Sequence, residues 1–175
     1  MVPPTASPGA TSAAPAGDTA LFDGIDHVGL AVPDLDAAIQ LHTGLLGWRL
    51  VHRETSQDHQ VDEAMLVTGD GSGAQLQLMA PLSGSSTIAR FLDRRGPGLQ
   101  QIAYRVGDLD AVTAELGRRG VRLLYPTSRR GTAGTMINFV HPHDTLGVLI
   151  ELVQHLPAPA EPGGSSGVGT AAPGN

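Results

Sequence analysis

The chain has 175 residues, 41% of them hydrophobic, which suits a folded core in one domain or in two small modules. Its formal net charge of −6 excludes nucleic acid as the main partner, because phosphate binding needs a basic face. The absence of cysteine excludes disulfides, thiolate metal sites and a cysteine nucleophile. No apolar run approaches the roughly 18 residues of a membrane span, so no membrane partner is predicted.

The two ends of the chain differ in composition from its middle. Residues 1–20 and 156–175 are dominated by Pro, Ala, Ser, Thr and Gly. Such segments bury too little apolar surface to offset the entropy lost on ordering, so both are predicted to be disordered tails. The functional domain is therefore expected at residues 21–155.

The domain is predicted to contain two units of the order β-α-β-β-β. The first, about residues 24–82, has a helix with Asp34 as its N-cap, and its strands are expected at 24–32, 48–54, 63–68 and 74–81. A connecting helix is expected at 86–95. The second unit, about residues 99–153, has a helix from Asp108, and its strands are expected at 99–106, 122–125, 136–140 and 148–153.

An internal repeat relates the two units. The segment 25–37 returns at 99–111, an offset of 74 residues without a gap, and the same offset carries position 77 onto position 151. Two matches at opposite ends of a unit that share one offset predict a pair of modules related by a pseudo-twofold axis. The expected fold is α+β, with two paired βαβββ modules that form an open cleft.

Four polar residues interrupt apolar strands: His27, Gln77, Gln101 and Glu151. Taken singly, such residues usually face water or are hydrogen-bonded within the core. The repeat, however, places two of them at equivalent positions on first strands and two on last strands. A pseudo-twofold axis would bring all four to one concave centre. One imidazole, one carboxylate and two amide oxygens there favour a hard or borderline divalent ion.

Four runs in the predicted strands carry a family resemblance: Ile25-Asp26-His27-Val28-Gly29, Glu63-Ala64-Met65-Leu66, Leu76-Gln77-Leu78-Met79 and Gly147-Val148-Leu149-Ile150-Glu151-Leu152. They resemble motifs of the vicinal oxygen chelate superfamily, and within it of the methylmalonyl-CoA epimerase family, over about residues 25–153. In chain order, the runs resemble that family's first ligand strand, the strand with a catalytic glutamate, the strand with a glutamine or glutamate ligand, and the strand with the last ligand.

The resemblance implies interconversion of (2R)- and (2S)-methylmalonyl-CoA through an enolate stabilised by a metal. It implies Glu63 and Glu151 as the two bases, and Co²⁺ or a similar divalent ion held by His27, Gln77, Gln101 and Glu151. It also implies an acyl-CoA substrate, a homodimer and a cytoplasmic location. The residues alone leave a second interpretation of Glu63 open, a solvated strand end beside Asp62.

One position departs from the family pattern. The family usually has two histidines where this chain has Gln100-Gln101, and the second of them is a metal ligand. An amide oxygen is a poorer donor than imidazole to Co²⁺, Zn²⁺ or Ni²⁺, so Gln101 is expected to weaken metal binding. Two alternatives follow: a metal-poor isomerase or cyclase of specialised metabolism that acts on an acyl thioester, or a non-catalytic small-molecule-binding protein. Glu63 favours an enzyme over a binding protein.

Overall fold

The computed structural model describes residues 20–157, so the predicted tails lie outside it except for Ala20, Leu156 and Pro157. The described residues form eight strands and three α-helices. The strands are β1 (Gly24–Ala31), β2 (Arg49–Ser56), β3 (Val61–Val67), β4 (Gln75–Pro81), β5 (Gly98–Arg105), β6 (Arg129–Arg130), β7 (Met136–Val140) and β8 (Leu149–Gln154). The helices are α1 (Leu35–Gly44), α2 (Thr87–Arg95) and α3 (Leu109–Arg118).

Side-chain caps fix where the helices begin. The Asp34 carboxylate accepts a hydrogen bond from the Ala37 amide at 3.0 Å at the start of α1. Asp108 does the same for Ala111 at 2.9 Å at the start of α3. Both caps occupy extended backbone and satisfy an amide that the helix leaves unpaired. The repeat seen in the sequence is therefore also a repeat of helix-capping geometry.

All eight strands belong to one sheet in the order β2-β3-β4-β1-β5-β8-β7-β6. In each half, the first strand pairs in parallel with the last strand, β1 with β4 and β5 with β8. The halves join where β1 and β5 pair antiparallel. The predicted α+β fold of paired βαβββ modules is thus confirmed, and the pseudo-twofold axis passes between β1 and β5.

Alternation along the strands separates two faces of this sheet. Even-numbered apolar residues of β3 and β4 pack with α1 in one cluster, and those of β7 and β8 pack with α3 in another. Odd-numbered residues such as Val61 and Met79 face the other way and pack with Ile88 of α2. The helices α1 and α3 therefore cover one face, and α2 closes one end of the opposite face, which carries the cleft.

The predicted strand at 122–125 does not form. Only Leu123 makes an isolated bridge, to Val140. At Tyr125 the side chain of Asn138 replaces a backbone partner, because its Oδ1 accepts from Tyr125 N at 3.3 Å and its Nδ2 donates to Tyr125 O at 3.1 Å. Pro126 follows and has no amide hydrogen for a ladder. The strand at this edge is instead the two-residue β6.

Two β-bulges interrupt the β1–β5 pairing at positions that the repeat makes equivalent. In β1, Asp26 is an extra residue between the pairs Ile25–Tyr104 and His27–Ala103. In β5, Gln100 is an extra residue between the pairs Leu30–Leu99 and Gly29–Gln101. A bulge redirects the side chains next to it, so two consecutive residues on each strand depart from simple alternation.

No helix within residues 20–157 is long and apolar enough to cross a membrane.

Candidate active site

The four polar strand residues meet at the centre of the cleft. They lie on the four central strands, and each is 5% exposed or less: His27, Gln77, Gln101 and Glu151. His27 Nε2 lies 3.1 Å from Glu151 Oε2. The Gln101 amide nitrogen donates to the same Oε2 at 2.5 Å and to Gln77 Oε1 at 3.1 Å. Residues that are 124 positions apart in the chain thus form one polar cluster.

Glu63 joins this cluster from the neighbouring strand β3. It is 4% exposed, so it is not a solvated strand end. Gln77 Nε2 donates to Glu63 Oε2 at 2.9 Å. The carboxylates of Glu63 and Glu151 therefore lie at opposite ends of a hydrogen-bonded chain made of the Gln77 and Gln101 amides. One carboxylate comes from each module.

A loop from the second module closes over Glu63, although no role was expected for its residues. Thr132 donates from Oγ1 to Glu63 Oε1 at 2.7 Å. The next residue, Ala133, has a φ of 53° and donates its amide to Glu54 Oε2 at 3.2 Å. Glu54 stands directly across the β2–β3 ladder from Glu63. The only sequence signal for Thr132 was its position within the glycine-flanked segment Gly131–Gly134.

The environment of Glu63 changes its acidity. Burial raises the pKa of Glu63 to about 7, although the hydrogen bond from Thr132 acts in the opposite direction. The nearby carboxylates of Glu54 and Glu151 contribute to this rise, because like charges disfavour ionisation. A carboxyl group with a pKa near neutrality can both remove and return a proton at physiological pH.

Asp26 fixes the orientation of His27. Asp26 Oδ1 lies 3.0 Å from His27 Nδ1, which leaves Nε2 directed at Glu151. The other oxygen, Oδ2, accepts from Arg105 Nε at 2.9 Å and lies 2.6 Å from His155 Nε2. Burial alone would lower the pKa of His27, but its hydrogen bonds to Asp26 and Glu151 raise it to about 9. Against the effect of burial, the three partners of Asp26 hold the pKa of its carboxyl well below its usual range.

A glycine makes room for the cluster. Gly29 pairs with Gln77 on one side and with Gln101 on the other. A Cβ atom at this position would lie 2.7 Å from Gln101 Cγ and 2.8 Å from Met79 Cε. Only glycine therefore lets the Gln101 side chain lie flat against β1 and reach Glu151.

The cluster opens into a cavity of about 380 Å³. Its walls come from both modules and from the start of α2, and they include Glu63, Gln77, Gln100, Gln101, Thr132 and Glu151. Within residues 20–157, no three His, Cys, Asp or Glu side chains converge as a metal site, so a metal here would depend on the glutamine amides. The arrangement can place a small substrate between two buried carboxyl groups.

Comparison with known proteins connects this geometry to chemistry. Residues 26–139 match the family model of the glyoxalase/bleomycin resistance protein/dioxygenase superfamily. The ethylmalonyl-CoA/methylmalonyl-CoA epimerase of Cereibacter sphaeroides is 33% identical over 132 residues, which cover 74% of this chain and 96% of that protein.

The solved structures that resemble this chain include further epimerases. A methylmalonyl-CoA epimerase from Mycobacterium tuberculosis is 57% identical with a TM-score of 0.76, and the match covers 80% of this chain and 93% of that one. A methylmalonyl-CoA epimerase in complex with methylmalonyl-CoA and NH4+ is 40% identical with a TM-score of 0.72, over 76% of this chain and 94% of that one.

Proposed function

Because the chain belongs to the glyoxalase/bleomycin resistance protein/dioxygenase superfamily, we propose that it acts within it as a methylmalonyl-CoA epimerase. The observation that carries this proposal is the pair of buried carboxylates, Glu63 and Glu151, held at opposite ends of one chain of amides. Epimerisation at the carbon between a carboxylate and a thioester needs one base on each face of that carbon. The relatives named as epimerases support the same substrate class.

The two carboxyl groups divide the proton transfer between them. Starting from one epimer, Glu63 takes the proton from the α-carbon, and the electron pair of the broken C–H bond moves onto the thioester oxygen as an enolate. The carboxyl group of Glu151 then delivers a proton to the opposite face. Starting from the other epimer, the roles reverse. The hydrogen bonds from Thr132 and Gln77 hold both oxygens of Glu63 in place during this exchange.

The donor atoms at this centre fit a borderline divalent ion in their chemistry, since they comprise an imidazole nitrogen, a carboxylate and two amide oxygens. His27 Nε2 and Glu151 Oε2 lie 3.1 Å apart. Gln101 would have to turn its amide so that its oxygen faces the ion in place of the nitrogen that donates to Gln77 and Glu151. We therefore assign His27, Gln77, Gln101 and Glu151 as residues that would hold Co²⁺ or a similar ion. When bound, the ion stabilises negative charge that develops on the substrate oxygens.

One observation favours a metal-poor isomerase as the second candidate. Gln101 directs its amide nitrogen, not its oxygen, at Glu151 and Gln77. An amide N–H can stabilise developing negative charge without an ion. Sensitivity of turnover to a chelator separates the two candidates, since only the metal-dependent enzyme loses activity.

The proposal includes a homodimer and a cytoplasmic location. Several large apolar side chains are exposed where α1 ends and β2 begins: Leu41, Leu45, Leu46, Leu50 and Val51. A second copy of the chain would remove such a surface from water. Sedimentation of the purified protein tests the dimer, and cell fractionation tests the location.

The test of the function is epimerisation of (2S)-methylmalonyl-CoA by the full chain and by Glu63→Gln. We expect turnover by the parent and a loss of about 10²- to 10⁴-fold in Glu63→Gln, because an amide cannot act as a base. Glu115→Gln on α3 is the matched control and should remain active. Absence of turnover in the parent, or full turnover in Glu63→Gln, would refute the proposal.

A further inference from the structure

Gln100 carries a buried polar atom that lacks a partner. Its Oε1 is shielded from solvent and forms no hydrogen bond with any residue of the described range 20–157. The same side chain lines the cavity beside Gln101. A buried acceptor without a donor costs free energy, and native proteins retain few such groups.

The equivalent position in the first module provides a comparison for Gln100 Oε1. Gln100 is the bulge residue of β5, and its equivalent in β1 is the bulge residue Asp26. Both oxygens of Asp26 have partners, which are supplied by His27, Arg105 and His155. At this structural position, both side-chain oxygens have hydrogen-bond partners in the first module, whereas the side-chain oxygen in the second module has none within the described residues.

The sequence explains the difference between the modules. Arg105 and His155 supply two of the donors to Asp26. The repeat offset relates these two positions to Ala31 and Pro81, and neither of those side chains can donate a hydrogen bond. In the first module, Arg105 and His155 thus occupy the space next to the bulge. The bulge at Gln100 therefore receives no donor from these positions, and the Gln100 side chain lines the cavity.

A ligand that satisfies Gln100 Oε1 must bring a hydrogen-bond donor. The carboxylate and thioester of a methylmalonyl thioester are acceptors only. The pantetheine arm of coenzyme A, in contrast, carries an amide N–H that two methylene groups separate from the thioester sulfur. Gln100 is the chain neighbour of Gln101 and lines the same cavity, so this amide is the donor nearest the reacting centre that it could meet.

We propose that Gln100 Oε1 binds the substrate by accepting a hydrogen bond from the pantetheine amide N–H nearest the thioester. This inference rests on the proposed function, since it requires an acyl-CoA in the cavity. It makes Gln100 a substrate-binding residue that recognises the carrier arm and not the acyl group. The bulge at Gln100 is what brings this residue to the cavity wall beside Gln101.

The test compares two small methylmalonyl thioesters that differ in this amide. The N-acetylcysteamine thioester contains the amide, and the S-propyl thioester lacks it. Gln100→Met removes the acceptor at similar volume, and Gln100→Glu retains one. Gln40→Met, on the exposed side of α1, is the matched control. Steady-state kinetics of epimerisation give kcat and KM for each pair.

We expect Gln100→Met to raise KM about 3- to 10-fold for the N-acetylcysteamine thioester and for methylmalonyl-CoA, the effect of one neutral hydrogen bond. Its kcat should change little, because this contact is equally strong before and during the reaction. The S-propyl thioester should show no change, and Gln100→Glu should recover part of the loss. An equal effect on both small thioesters, or no effect on either, would overturn the assignment of Gln100.

A failure of the proposed function would appear differently. If the parent enzyme turns over none of the thioesters, the function is wrong, and binding of propionyl-CoA measured by calorimetry then replaces the kinetic comparison. In that case, equal affinity of the parent and Gln100→Met for propionyl-CoA would refute the Gln100 contact itself. A 3- to 10-fold weaker affinity of the variant, in the range of one hydrogen bond, would support it.

Discussion

Substitution of Gly29 by alanine should damage the site with little damage to the fold. An added Cβ would lie 2.7 Å from Gln101 Cγ and 2.8 Å from Met79 Cε. Ordinary carbon contacts are about 3.5–4.0 Å, so both side chains must retreat by roughly 0.7 Å or more. Met79 can move its terminal methyl at low cost. Gln101 is displaced near its base, which draws its amide away from Gln77 and Glu151.

The expected magnitudes follow from these contacts. Overpacking of this kind costs about 1–3 kcal/mol of unfolding free energy. A displacement approaching 1 Å within a catalytic centre costs up to about 100-fold in rate. We therefore expect Gly29→Ala to remain folded with a lowered Tm, and to lose about 10- to 100-fold in kcat for methylmalonyl-CoA.

A matched substitution separates the site from the fold. Gly73 has open space where a Cβ would be added and no unusual φ, so Gly73→Ala should keep the activity of the parent. Circular dichroism gives Tm, and a coupled epimerase assay gives kcat. Gly29→Ala with parental kcat would refute the reasoning, because it would show that the position of Gln101 does not matter for turnover.

Three further predictions concern proton binding and metal binding in the cluster. The pKa of Glu63, raised to about 7, predicts that kcat/KM for the epimer deprotonated by Glu63 falls as pH drops below about 7; Glu54→Gln should move this limb to lower pH, and an unmoved limb would contradict the influence of Glu54. Gln101→His should tighten Co²⁺ binding by about 10-fold or more in calorimetry, because imidazole replaces an amide oxygen; unchanged affinity would mean that this position does not ligate. In the metal-free protein, the raised pKa of His27 stabilises the fold below pH 6.5, and this contribution is lost as pH rises through about 9; a Tm difference from His27→Gln that does not shrink over that range would contradict it.

The internal repeat was the part of the sequence that carried the most structural information. It predicted that His27 and Gln101 occupy equivalent positions, and the structure places them in one cluster with Gln77 and Glu151. Strand alternation alone could not have done so, because each of these residues is as compatible with a solvated face. Because the equivalent strands β1 and β5 pair about the pseudo-twofold axis, all four polar side chains can come together only at the centre of the cleft.

Features that depend on register could not be read from the sequence. A bulge adds one residue to one strand, and the pattern of apolar residues around Gln100 does not reveal it. The contact between Thr132 and Glu63 joins residues 69 positions apart through a loop with no periodic pattern. The strand predicted at 122–125 failed because the Asn138 side chain bonds to the Tyr125 backbone, a competition that propensity does not describe.

The central claim is that Glu63 and Glu151 act on opposite faces of one carbon, and hydrogen–deuterium exchange at that carbon tests it most directly. In D₂O the parent should place deuterium in both epimers of methylmalonyl-CoA while it interconverts them. Glu63→Gln should lose interconversion yet still exchange the α-proton of a single epimer, the one that faces Glu151. Exchange of both epimers by Glu63→Gln, or of neither, would contradict the two-base account.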